Sequence, residues 1–199
     1  MPCYAIDGVI PVIEPGAYVH PDAVLIGDVV VETGAYVAPL ASLRGDFCRI
    51  HVHRGANVQD CCVLHGFPGH DTVVLHNGHI GHGAILHSCT VGEGALVGMH
   101  AVVMDDAEIG AHAIVAASSF VRAGCKVEAR TLVAGTPARL VRVLSEAEVA
   151  WKTVGTESYQ HLTRRSLATL RPVAPLTALE AARAHLQVPD GRPLIETER

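Results

Sequence analysis

Aliphatic residues recur along this chain at a spacing of six. Val19, Leu25, Val31, Val37 and Leu43 keep the interval without error, and Val52, Val58 and Leu64 resume it after a slip. A second interruption spans 66 to 79. From Val91 the spacing runs on through Val97, Val103, Ile109, Val115, Val121, Val127 and Val133, with Gly92 and Ala95 at fixed offsets. A helix needs apolar positions every three to four residues, and a half-buried strand needs strict alternation. Six fits neither alone. It fits short strands joined by tight corners, three hexapeptides to a coil of about 18 residues, each aliphatic side chain pointing inward. The predicted fold is mainly β: a left-handed parallel β-helix over residues 1–140, with roughly six or seven coils between 19 and 138.

Ser145 followed by Glu148 is a capping box and opens a stretch of helix-forming composition to about Leu170. This helix is expected to pack along the prism. Pro172 and Pro175 end it, a second short helix is expected over 176–186, and 187–199 reads as a flexible tail. The domain division is therefore 1–140, 141–186 and 187–199.

Composition narrows the function. The net charge is −5 with dispersed Lys and Arg, which excludes the basic stripe of a nucleic-acid binder. No apolar run reaches the ~18 residues of a membrane span, and residues 1–15 lack a basic region followed by an apolar one. A cytoplasmic protein with no membrane or nucleic-acid partner is expected. The six cysteines show no CxxC spacing, so buried, reduced thiols are expected rather than disulfides or a zinc ribbon.

The chemistry concentrates where the repeat breaks, in CCVLHGFPGHDTVVLHNGHIGHGAILHSC. His65 and His87 are one coil plus four residues apart, which places them on neighbouring coils of one face if 66–79 loops out. His82 precedes His87 by nearly one hexapeptide and belongs elsewhere on the prism. Packing of three prisms around a threefold axis brings His82 of one subunit to His65 and His87 of the next, giving three equivalent sites in a homotrimer. Three neutral imidazoles leave the fourth position of Zn2+ open, as in catalytic zinc sites; Fe2+ and Co2+ are the alternatives.

Residues 1 to about 170 resemble the γ-class carbonic anhydrase-like family. The resemblance rests on the hexapeptide array, Arg44-x-Asp46, the motif of Asn57, Gln59 and Asp60, and the three histidines. Within that family the stretches SLRGDFCRI, HGFPGHDTVV, LVGMHAVVMD, VAGTPAR and LSEAEVAWKTVGTESYQ match the accessory proteins of phenylacetate degradation first and of carnitine metabolism second. The resemblance implies that His65 and His87 are metal ligands from one subunit and His82 the ligand from its neighbour. It implies that Gln59 and Asn57 orient a hydroxide, and that Arg44, Asp46 and Asp60 form an interfacial charge cluster. It further implies that Tyr159, on the C-terminal helix, reaches toward the metal. The activity implied is a zinc-dependent thioesterase acting on aromatic or ring-derived acyl-CoA. Carbonic anhydrase, with CO2 and bicarbonate as substrates, is the alternative, followed by a CoA-dependent acyltransferase or a trimeric scaffold. The best carbonic anhydrases of the family carry a Glu where this chain has Phe47, and an acidic loop after the first ligand. Here 66–79 contains no Glu, which disfavours rapid CO2 hydration; His70 and His76 are the substitute proton carriers.

Overall fold

In the computed structural model, which describes residues 2–186, the chain coils into a parallel β-solenoid of about seven turns followed by one helix. The six-residue spacing resolves into three columns. Leu25, Leu43, Leu64, Leu86, Val103 and Val121 stack on one face, here face A. Val31, Val52, Val74, Val91, Ile109 and Val127 stack on face B. Val19, Val37, Val58, Ile80, Val97, Val115 and Val133 stack on face C. Almost all of these side chains are buried in one continuous core that the three faces enclose. The strands Val24–Val31 and Ser42–Val52 bend through the corner between faces A and B, merging those faces into a 12-stranded sheet beside the 8-stranded sheet of face C.

The coils differ in length. Val102 pairs with Phe120 and Thr90 with Glu108, the 18-residue interval. Ser42 pairs with Val63, and Val63 with Ile85, so these coils take 21 and 22 residues. The extra residues leave the prism at the corner after face A, around 46–49 and 66–71. The backbone N–H of Arg49 donates to Asp71 Oδ1 (2.9 Å), stitching one insertion to the other. The interruption is shorter than the spacing predicts. Thr72–Val74 already pairs with Ser42–Val52, and Val74 and Ile80 are fully buried core positions, so only residues 66 to 71 loop out.

The solenoid ends in an antiparallel hairpin, Thr131–Gly135 with Ala138–Val143, which occupies the open edge of face C. The helix α1, Glu146–Thr169, begins at the capping box: the Ser145 side chain accepts from Glu148 N–H, and Glu148 accepts from Ser145 N–H. Arg142 holds the same carboxylate through two hydrogen bonds of 2.7 and 2.5 Å. α1 then runs back along face C against the direction of coiling. Arg130 bonds Glu146 near the last coil, Lys152 Nζ donates to the Asn77 carbonyl (2.9 Å), Gln160 Nε2 donates to Asn77 Oδ1 (2.9 Å), and Tyr159 packs on Tyr36. The short helix expected over 176–186 does not form: those residues are exposed and irregular, with no core surface to dock on. The tail expected at 187–199 lies outside the described residues. Cys48, Cys62 and Cys89 are buried, as expected of packing thiols, but Cys3 and Cys61 are exposed and Cys125 is half-buried; all six are unpaired.

Candidate metal centre

Face A delivers the histidines. His65 and His87 close the strands Val63–His65 and Ile85–His87, pair in register, and bring their rings to 5.3 Å between centroids. His82 sits in the turn before Ile85–His87, at the corner between faces C and A. The turn at His82 and Gly83 and the strand Ile85–His87 separate it from His87 along the face. His82 thus stands at one edge of face A and the His65–His87 pair at the other, and among the described residues these three imidazoles do not gather into one ligand cluster within the chain.

Each histidine is held by a carboxylate through one ring nitrogen. His65 Nε2 meets Asp46 Oδ1 at 2.9 Å, His82 Nδ1 meets Asp60 Oδ2 at 2.7 Å, and His87 Nδ1 meets Asp105 Oδ1 at 2.5 Å. Such a contact fixes the ring orientation and tautomer and makes the opposite nitrogen a better ligand. Burial opposes ionisation of Asp46, but hydrogen bonds from Arg44 (2.7 Å) and His65 outweigh it and hold the carboxyl below the ordinary carboxylate range. Arg44 and Asp46 thus serve His65, while Asp60 serves His82, so the charge cluster expected from the sequence divides into two groups within one chain. Asp105 was not anticipated. Its pairing becomes visible only when the coil carrying it stacks on the coil carrying His87.

Two aromatic rings flank the His65–His87 pair. Phe47, from the first insertion, lies 5.4 Å from His65, and Phe67, from the second, meets His87 edge-on at 5.0 Å. Both are more than half exposed. His70 stays on the same insertion, with Nδ1 2.8 Å from Asp106 Oδ1. His76 does not: it belongs to the corner between faces B and C, against His53, and is removed from the candidate proton carriers.

The corner holding His82 opens onto a cavity of about 340 Å³ lined by Gln59, His79, His82, Met99 and Tyr159, among others. Gln59 Nε2 donates to Asn57 Oδ1 (3.0 Å) and to His79 Nε2 (2.6 Å). Burial drives the His79 pKa to about 3, so its imidazole is neutral, and Nε2 accepts because the amide nitrogen facing it can only donate. Both donor positions of the Gln59 amide are then committed, which leaves its carbonyl oxygen toward the cavity. Asn57 is fully buried and is confined to positioning Gln59. The Tyr159 ring packs edge-on against His79 at 5.2 Å, and burial raises its phenol pKa to about 12. His79 also escaped the sequence reading; its signal is the register that sets it beside Asn57.

Comparison with known proteins places this arrangement. Residues 88–123 match the bacterial transferase hexapeptide (six repeats) family. The chain is 54% identical over 187 residues to the carnitine operon protein CaiE of Proteus sp. (strain LE138), covering 94% of this chain and 95% of that one. It is 55% identical over the same length to CaiE of Escherichia coli O7:K1 (strain IAI39 / ExPEC). Among solved structures, a hexapeptide transferase family protein from Anaplasma phagocytophilum is 35% identical with a TM-score of 0.78, covering 82% of this chain and 97% of that one. A putative acetyltransferase from Bacillus cereus is 30% identical with a TM-score of 0.82, covering 83% and 96%. The coil stack, the returning helix and near full-length identity above one half agree: the chain belongs to the CaiE family of hexapeptide-repeat proteins.

Proposed function

We propose that this protein is a metal-dependent hydrolase of acyl-CoA thioesters, working as a homotrimer with Zn2+ between subunits. The observation that carries the reading is the set of three histidines, each tethered by one ring nitrogen to an aspartate. The donor set fits the metal: His65 and His87 would hold it from one subunit and His82 from the next. A bound zinc ion supplies Lewis acidity toward a carbonyl oxygen and acidifies water to a pKa of about 7.

The chain's own groups do the rest. Asp46, Asp60 and Asp105 fix the imidazoles, and Arg44 keeps Asp46 ionised. Gln59 presents a carbonyl oxygen that accepts a hydrogen bond from the attacking water and orients it, its amide locked by Asn57 and His79. Hydrolysis makes a C–O bond at the thioester carbon and breaks C–S, and the thiol leaves with a proton. Phe47 and Phe67 favour this substrate over CO2, because exposed aromatic rings beside the histidines suit an apolar or aromatic acyl group. The likeness to a putative acetyltransferase supports a CoA thioester as the substrate class. Aromatic or ring-derived acyl groups are the finer proposal; carnitine-derived ones are the comparison, since the relatives above bear the name of the carnitine operon.

The test assays one zinc-loaded preparation and its His87→Ala variant on a panel of acyl-CoA thioesters, with CO2 hydration measured in parallel. Thiol release that disappears in the variant, with CO2 hydration slow or absent, is expected. Fast hydration without thiol release would promote carbonic anhydrase over this reading.

A further inference from the structure

At the corner between faces B and C, the vertex of the prism opposite face A, three successive coils each contribute a metal-type ligand. Glu32, His53 and His76 place one ligand atom apiece within 4.8 Å of one another. Backbone stacking fixes their order: Glu32 N–H donates to the Val52 carbonyl, next to His53, and His53 N–H to the Val74 carbonyl, two residues before His76. The carboxylate is pinned. Glu32 Oε2 accepts the Arg54 N–H (2.9 Å), and Oε1 meets His51 Nε2 (2.9 Å) and His53 Nδ1 (3.0 Å). The His51 ring stacks on His53 at 3.8 Å, and His53 faces His76 at 5.3 Å.

We infer that Glu32, His53 and His76 form a second site for a divalent transition cation of the zinc type, separate from the histidines of face A. Two imidazoles and one carboxylate are a ligand set that binds zinc and its neighbours, leaving a position for water. Ligands about 2.1 Å from one ion sit roughly 3.4 Å apart, a contraction that side-chain rotation in partly exposed residues supplies. His51 holds the same carboxylate oxygen that His53 meets. Because the ligands come from three coils, the ion ties those coils together and stabilises the upper solenoid in proportion to its occupancy.

The experiment titrates Zn2+ into the metal-stripped full-length protein, reading zinc per chain by elemental analysis after dialysis and the melting temperature with and without zinc. The parent is expected to bind about two ions per chain. A His82→Ala variant should keep the corner ion and still melt higher with zinc. Adding His53→Gln and His76→Gln should abolish both the remaining ion and the shift, while leaving the zinc-free melting temperature near that of His82→Ala alone. Glu32→Gln, which keeps size and one acceptor, should weaken the same ion without unfolding the corner. If zinc disappears with His82 yet is unchanged by the His53, His76 and Glu32 variants, this site is overturned and the interfacial centre stands. If it disappears with His53 and His76 yet is unchanged in His82→Ala, this site stands and the interfacial centre falls.

Discussion

The coils from Ser42 to His87 and those from Thr90 to Val133 share one core but divide the work. In the second group each coil takes 18 residues, with Val, Ile, Ala and Gly filling the repeat. This regular stretch holds most of the segment that matches the hexapeptide family, and to the candidate chemistry it lends supporting groups: Asp105 beside His87, Asp106 beside His70, and Met99 on the cavity wall. In the first group the coils swell to 21 and 22 residues, and His65, His82, His87, Gln59, Phe47 and Phe67 all lie there. A perfect repeat stacks identical side chains and gives every coil the same surface. Insertions shift one coil's outward residues against the next, so that unlike groups such as His65 and Asp46 meet.

The sharpest way to break this division is His82→Ala, which touches the swollen half alone. Loss of a ligand should exceed the ~10- to 100-fold typical of outer-shell changes, so more than about 100-fold lower kcat/KM for thioester hydrolysis is expected, with the zinc-free melting temperature little changed. Ile109→Ala should do the reverse. Ile109 is buried in the regular half, and truncating it costs about 2–5 kcal/mol of unfolding free energy by denaturant titration, while bound metal per folded chain is retained. Asn57→Ala sits between these extremes. It frees the Gln59 amide, so about 10- to 100-fold lower activity with metal content intact is expected.

The smallest expected effect sharpens the comparison by asking how the helix serves both halves. Burial lowers the Lys152 pKa from 10.5 to about 7. The folded state therefore binds fewer protons than the unfolded one between those values, and stability from this group rises as pH increases from about 7 toward 10.5. Lys152→Met should flatten that rise, by at most about 1.4 kcal/mol per pH unit, in unfolding titrations of parent and variant at pH 8 and 9.5.

The legible parts of the sequence were those set by local rules. The columns of Val97, Val115 and Val133 follow from a spacing, and the start of α1 follows from Ser145 and Glu148. The separation of His82 from the His65–His87 pair also follows from counting residues along the coil. The illegible parts depend on register between coils of unequal length. Asp105 reaches His87, and His79 reaches Gln59, only after the insertions fix which residue stacks on which. The 66–79 interruption was overdrawn for the same reason: Thr72 and Val74 carry a strand signal too short to separate from loop, until pairing with Ser42–Val52 supplies the missing stabilisation.

A stack whose coils touch only their neighbours is free to fray from either end, losing one rung at a time. The returning helix changes that behaviour, since it is tied near Arg130 at one end and to Asn77 and Tyr36 further up. It acts as a tie rod: a rung between its anchors cannot open without straining the rod, and load applied at one end is shared along the stack. The same connection sets a time order at synthesis. The rod leaves the ribosome after every rung it braces, so the solenoid gains its lateral rigidity only once residues 146–169 have emerged.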